Sequence, residues 1–293
     1  MTWTLFRWVW RLEAPLFVGM PPAGALNRCR LYVPARALWG SVTAELSRLK
    51  NDKDFPDYCE FGKEFASNCR FTYLYPAEER NNKVLAWMPK FEKSSGLRWF
   101  SNGDGGLSDR EFRRRLLDSR PGTAIAPESD SASEGSLRET ECINPWWRDS
   151  NCRGEPNAVL LLGYVFLRDN DFRNQLDDID TLFVGGDIRY GLGKIRRVGW
   201  HEVAGDLSVF GKQVHLDGEH PEILSDVIWG HASEGDQHQF QGIQGVKELL
   251  AGWDQGSLRK GALAWVPGSC LELPVDWTID FDGCWKEARK QNG

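Results

Sequence analysis

Residues 2–12 constrain this chain more than any other stretch. Phe6, Trp8, Trp10 and Leu12 fall at alternate positions, with Arg7 and Arg11 among the residues between them. Strand side chains point to opposite faces with a period of two, so one face here is aromatic and needs cover while the other carries charge. The segment predicts a half-buried strand.

The residues beyond it set that strand in a larger pattern. Pro15, Gly19, Pro21, Pro22 and Gly24 make a loop. Leu31, Tyr32 and Val33 are a short extended piece stopped by Pro34, and from Arg36 onward Leu38, Val42, Leu46 and Leu49 recur at helical spacing. Residues 69–75 and 83–91 read as two strands around a turn with Pro76, Asn81 and Asn82. Residues 94–106 are Gly- and Ser-rich, 109–117 predict a short basic helix, and 119–140 predict a mobile loop. Residues 158–167 form a nearly continuous apolar run suited to a central strand. Asn170 or Asp171 can cap the next helix, whose face is Phe172, Leu176, Ile179 and Phe183, and a further strand spans 194–203. Collected in order, the elements give β, α, β, β, α, β with an insertion at about 93–153.

That order predicts an α+β protein of ferredoxin-like (RRM-like) architecture over residues 1–204, with two helices on one face of an antiparallel sheet. The other face is free for a ligand, and RNA-binding domains use it. Residues 205–293 form a C-terminal extension or smaller subdomain, with short helices expected at 221–229 and 245–250. A strand pair bent at Pro267 and Gly268 is expected over 261–273.

Composition narrows the setting. No run of 18 apolar residues exists, and the opening lacks the small-residue cleavage site of a secretory signal, so a cytoplasmic protein without membrane partners is expected. Seven scattered cysteines fit a reducing compartment. The net charge of −6 runs against nucleic-acid binding on the average surface, although one groove can be positive within an acidic protein.

Residues 184–194, VGGDIRYGLGK, hold four glycines in nine residues: Gly185, Gly186, Gly191 and Gly193. Glycines permit positive φ and close backbone approach, so amides can point at an anion. Arg189, Lys194, Arg196 and Arg197 supply cations, and Tyr190 offers a plane for base stacking. A P-loop is excluded because Leu192 stands where Lys is required, and a Rossmann turn because this loop follows a helix. A glycine-rich connection with solvated arginines is the plain alternative.

The stretch FVGGDIRYGLGKI resembles the glycine-rich loop of the RAMP superfamily of CRISPR-associated proteins. The opening, RLEAPLFVG leading to LYVPARALWGSVTAEL, is similar to the same family through Pro15, Leu16, Gly19, Pro34 and Gly40. FASNCRFTYLYPAEE and AWVPGSCLEL look similar to parts of the cap subunits of type III effector complexes, which hold the 5′ tag of the guide RNA and contact the large signalling subunit. The resemblance implies a guide-RNA-binding subunit with other RAMP subunits as partners and target RNA met indirectly. It implies RNA contacts at Gly185, Gly186, Arg189, Tyr190, Gly191, Gly193, Lys194 and Arg196, with Arg36 and Gly40 as a second contact. RAMP subunits that cut target RNA resemble one another in an Asp after the first strand. Here residues 19–30 contain no carboxylate, so a non-catalytic subunit is implied. A filament backbone subunit, a guide-processing ribonuclease using a His, and a protein-only scaffold stand as alternatives.

No motif calls for a cofactor. Cys59, Cys69, Cys142 and Cys152 could together hold zinc, but their nine-residue spacings are far from the short zinc hook, and each is better read as core or incidental. His201, His215, His220, His231 and His238 carry no catalytic signature. Arg110, Arg113 and Arg114 would share a helix face, and Trp146 and Trp147 suggest an interface or base stacking.

Overall fold

The computed structural model describes residues 2–50, 56–101, 105–148, 157–168, 171–233, 242–254 and 257–288. Cys152, Asn170 and His238 lie outside them. The protein is a strand-rich α+β chain with two main sheets.

The first sheet is built around β1 (Thr4–Leu12). Its other elements are α1 (Ala35–Leu49), α2 (Tyr58–Asn68), β2 (Cys69–Phe71), β3 (Tyr75–Arg80), β4 (Lys83–Ala86), β5 (Leu160–Leu167), α4 (Asp171–Asp177), β6 (Thr181–Phe183) and β7 (Lys194–Glu202); α3 (Asp109–Leu116) belongs to the insertion. The strands lie in the order β6-β7-β1-β5-β3-β4, with β2 also on β5, and every neighbouring pair is antiparallel. The strand with the alternating aromatics therefore sits in the centre, between β5 and β7.

The two faces of β1 differ as its pattern requires. Phe6, Trp8, Trp10 and Leu12 are buried in the main core with Leu38, Val42 and Leu46 of α1, Phe65 of α2, and Phe172 and Leu176 of α4. Each such side chain contributes roughly 1.5–3 kcal/mol through removal of apolar surface from water. On the other face Val9, Ala77, Leu160 and Leu162 form a smaller cluster, with no helix over it among the described residues.

Several expectations are corrected. Helix α2 carries almost no periodic signal, because only Gly62 and Phe65 are buried; Asp57 starts it by accepting from the amides of Cys59 and Glu60. The helix after β5 ends at Asp177, so Ile179 is buried in the following turn and Phe183 lies exposed on β6. The stretch 119–140 is not a loose loop. Strand Leu117–Gly122 pairs antiparallel with Arg138–Ile143, and the short strands Ile125–Ala126 and Ser131–Ala132 pair beyond them. Both faces of this hairpin are mostly exposed, so no apolar alternation marks it, and hydroxyl contacts such as Thr123 with Ser136 (2.7 Å) help hold it. Helix α3 forms as expected, opened by a capping box between Ser108 and Glu111.

The second sheet comprises β8 (Ser208–Val209), β9 (Lys212–His215), β10 (Glu222–Val227), β11 (Ala232–Ser233), β12 (Lys247–Asp254), β13 (Ser257–Trp265), β14 (Cys270–Ile279) and β15 (Trp285–Glu287). Its order is β8-β9-β10-β14-β15-β11-β13-β12. The helices expected at 221–229 and 245–250 are strands here. In β10 burial alternates, with Ile223, Ser225 and Val227 inward, a period of two that outweighs the helix-like spacing of Ile223 and Val227. The turn at Pro267 and Gly268 does separate two strands, but β13 pairs with β12 and β11 while β14 pairs with β10 and β15.

Candidate nucleic-acid interface

The glycine loop lies against the chain just after β1. Gly186 donates its amide to Phe17 O (2.8 Å), Gly193 to Pro15 O (2.8 Å), and Val184 to Gly193 O (2.9 Å). A Cβ at Gly185 would stand 2.2 Å from Phe17 O, and one at Gly193 2.1 Å from Val184 O; both residues also hold positive φ. No side chain fits at either place. Within the loop, Tyr190 donates to Asp187 O and Gly191 to Ile188 O, closing a 3-10 turn at Ile188–Tyr190.

This narrows the anion-cradle expectation. The amides of Gly186, Tyr190, Gly191 and Gly193 are spent on the protein's own carbonyls, because the glycines serve close packing of the loop on residues 15–17. What the turn presents outward is side chains. Arg189 is exposed, and Tyr190 is 69% exposed with the Arg138 guanidinium 5.1 Å from its ring centroid.

Strand register then sorts the cations. Arg11 stands opposite Arg196 and Arg7 opposite His201, so all four lie on the open face of the first sheet. Lys194 is two residues from Arg196 along β7 and shares that face. Glu13 bridges Lys194 (2.9 Å) and Arg196 (2.5 Å). The hydrogen bond from Lys194, then that from Arg196, holds the Glu13 carboxyl below its usual range in spite of some desolvation. Arg197 faces the helices instead, donating to Leu176 O, Asp177 O and Asp180, and it is structural.

Beyond Arg196 the open face forms a trough of about 450 Å³ lined by Arg7, Val9, Arg11, Leu160, Val198 and His201. Desolvation, and then the charge of Arg7, lowers the proton affinity of the His201 ring. Arg11 lies 5.3 Å from the ring centroid of Trp146, which remains exposed at the rim. Trp147 is buried beside Phe112 and Arg115, so only the first member of that pair is a surface residue.

Arg36 and Gly40 are not brought to this trough. They belong to α1, which covers the opposite face of the sheet. Arg36 lines a separate cleft of about 710 Å³ with Gly19, Arg30, His231, Asp280 and Lys286. A Cβ at Gly40 would meet nothing within 4 Å, so no packing demands glycine there. Next to it, Ser41 donates to Phe183 O (2.8 Å) and ties α1 to the strand that leads into the glycine loop.

At the cleft, a buried polar chain joins the two sheets, and nothing in the sequence marked it. Tyr73 Oη lies 2.6 Å from His231 Nδ1, and His231 Nε2 2.5 Å from Glu248, which also pairs with Arg30. Burial disfavours the imidazolium and lowers the His231 pKa, although Glu248 opposes this. Burial would raise Glu248, but hydrogen bonds from His231 and Arg30 outweigh it and hold the carboxyl at about 2. His231 is 1% exposed with both ring nitrogens engaged, so it is a tether and has no free nitrogen to act as a base.

Other candidates separate. Cys59 is exposed while Cys69 and Cys142 are buried, and among the described residues no group of three His, Cys, Asp or Glu could hold a metal. Arg113 is paired with Asp109 and Arg115 with the buried Glu78, leaving Arg110 and Arg114 outward. The carboxylate-free loop at 19–30 does receive acids from outside: Glu141 accepts from the Cys29 amide (3.0 Å), and Glu248 pairs with Arg30 at the loop's end. Among the described residues no helix is long and apolar enough to cross a membrane.

No protein-family profile and no curated protein matches the sequence. Among solved structures, the chain is similar to one in the type III-B Cmr-beta complex, seen by cryo-EM with cognate target RNA and AMPPnP bound. The TM-score is 0.56 at 12% identity, covering 92% of this chain and 86% of that one. A second Cmr-beta chain, from the complex with cognate target RNA, gives 0.40 at 11% identity over 67% of this chain and 96% of that one. A third, from the apo state, gives 0.41 at 11% identity over 69% and 98%. The first likeness establishes a shared fold with a type III effector chain.

Proposed function

We propose that this chain is a non-catalytic guide-RNA-holding subunit of a type III CRISPR effector complex, positioned as the cap on the 5′ tag. Its partners are the guide RNA, other RAMP subunits and the large signalling subunit, with target RNA met through the guide. The observation that carries this reading is the fold likeness to a Cmr-beta chain over 92% of the sequence.

The strand order β7-β1-β5 followed by β2 and β3, with α1, α2 and α4 on one face, supports a ferredoxin-like RAMP unit in residues 1–204, interrupted at about 93–153. Residues 205–293, which hold the second sheet, are its C-terminal unit. Phosphate contact falls to the side chains of Arg189, Lys194 and Arg196, with Tyr190 as a stacking surface. The amides of Gly186, Tyr190, Gly191 and Gly193 contribute by fixing the turn's shape. The absence of any carboxylate within residues 19–30 and the double engagement of His231 support the non-catalytic reading.

The test is co-expression with the neighbouring genes, purification through a tag on this subunit, and sequencing of the bound RNA. Uniform short RNAs sharing a repeat-derived 5′ end, released from this subunit by the Arg189→Ala/Lys194→Ala double variant, are expected. An assembly without discrete RNA overturns the reading in favour of a protein scaffold.

A further inference from the structure

We infer that the open face of the first sheet, from Lys194 and Arg196 across Arg11 to Arg7 and His201, is a binding trough for an unpaired stretch of RNA. The strongest observation is a conflict inside the sheet. Arg11 faces Arg196 across β1 and β7, and Arg7, nearer the start of β1, faces His201. Like charges directly opposite on neighbouring strands destabilise a sheet. Among the described residues, the repulsion between Arg11 and Arg196 is relieved sideways, Arg196 by Glu13 and Arg11 by lying over Trp146. A polyanion laid along the strip would neutralise that Arg11–Arg196 pair and meet Arg7 as well.

The balance of charge agrees. In a chain of net charge −6, this face gathers Arg7, Arg11, Lys194 and Arg196 against Glu13 and Glu79. Glu13 is already shared between two of the cations, and Glu79 lies at the far wall of the trough.

The shape of the floor selects the form of the ligand. Val9, Leu160 and Val198 line it, and Gly199 stands opposite Val9 with no side chain to fill the middle. A duplex offers only phosphates and groove edges to such a surface, whereas an unpaired strand can set base faces on the apolar floor while its phosphates meet the arginines. Arg7 and Arg11 are about 13 Å apart along the strand, the reach of a few nucleotides. Trp146 beneath Arg11 offers a further plane at one end. The centre of a protein–protein interface is depleted of charge, which this strip is not.

The inference rests on the guide-RNA reading only for the source of the strand, so the two can fail separately. The full chain, alone and in the co-purified assembly, is mixed with a fluorescein-labelled oligouridylate carrying 4-thiouridine, and with an RNA duplex of equal length. Crosslinks are mapped by mass spectrometry and affinities read by anisotropy. Crosslinks are expected within 4–12, 157–167 and 194–202, with preference for the unpaired probe. Arg11→Glu should weaken binding about tenfold or more and flatten its salt dependence. Val198→Asp, an exposed change on the floor that spares the arginines, should weaken binding with an unchanged melting temperature. Crosslinks confined to 184–193 or to the Arg36 cleft, with Arg11→Glu binding normally, overturn the trough and leave the guide-RNA reading intact. Equal or better binding of duplex, or shielding of the trough by a protein subunit with no crosslink in either sample, also overturns it.

Discussion

The two faces of β1 are made from one run of nine residues and behave as different materials. On the helix side Trp8 packs against Trp10 (4.8 Å), Trp200 (5.2 Å) and Phe71 (6.1 Å), a dry and crowded aromatic layer. On the open side Arg7, Val9 and Arg11 leave a shallow trough with cations around it. The contrast teaches that stability and ligand contact are encoded at alternate positions of the same strand, and that substitutions one residue apart should separate them.

The largest effect should come from the covered face. Trp8→Ala is expected to lose about 3–5 kcal/mol in urea unfolding, as large-to-small core changes do. Trp8→Phe should cost far less, because it keeps an aromatic ring and removes an indole N–H that is buried without a partner among the described residues. An alanine variant as stable as the parent would break the comparison.

Next is the glycine loop, where a Cβ at Gly193 would overlap Val184 O in a residue already at positive φ. Gly193→Ala should cost about 2–3 kcal/mol, read as a lowered unfolding midpoint. Arg189→Ala, on the same loop, should leave the midpoint in place and lower RNA affinity.

The tether between the sheets gives a pH signature of about 1–2 kcal/mol. The His231 pKa is depressed in the fold, so the unfolded chain takes up the proton first and stability falls as pH drops through about 6.5. Glu248 is held at about 2 against an ordinary 4.5, so its contribution is fully present above 4.5 and is lost as pH falls from there towards 2. Urea midpoints at pH 7.5, 5.5 and 4 should decline in that order, and Glu248→Gln should flatten the lower step. A midpoint independent of pH would show that the tether contributes nothing to stability.

The smallest change in stability belongs to the open face. Arg11→Ala should shift folding by less than about 0.5 kcal/mol, since it is a surface change. The same variant should reduce the slope of log affinity against log salt by about one. Loss of folding without loss of RNA affinity would invert the comparison.

How much of this was legible depended on how local the signal was. The alternation at Phe6, Trp8, Trp10 and Leu12, the apolar run of β5 and the spacing of Leu38, Val42 and Leu46 each reflect burial within one element, and each element formed as its pattern predicts. Helix α2 was silent because its contact with the core rests on Phe65 and Gly62 alone. In the second sheet, Ile223 with Val227 and Val246 with Leu250 are four residues apart, a spacing that a helix shares with a strand. Only neighbours distant in sequence decide between them. The site divided in the same way. Lys194 and Arg196 are visible as cations beside a glycine loop, but their alignment with Arg11 is a matter of register between β1 and β7. The Tyr73–His231 bond spans 158 residues, beyond any local pattern.

The central place of β1 also sets a timetable. Its two neighbours end at Leu167 and Glu202, so the ribosome must pass residue 202 before the strand is flanked on both sides. At 5–20 residues per second the wait is on the order of ten to forty seconds. For most of it, until Leu167 has also emerged, four large aromatic rings, those of Trp3, Phe6, Trp8 and Trp10, hang from an unpaired segment of a nascent chain. Such a segment invites wrong pairing and is what chaperones recognise. The yield of this protein in a cell should therefore depend on what shelters its first strand during synthesis, before the stability of the finished fold has any bearing.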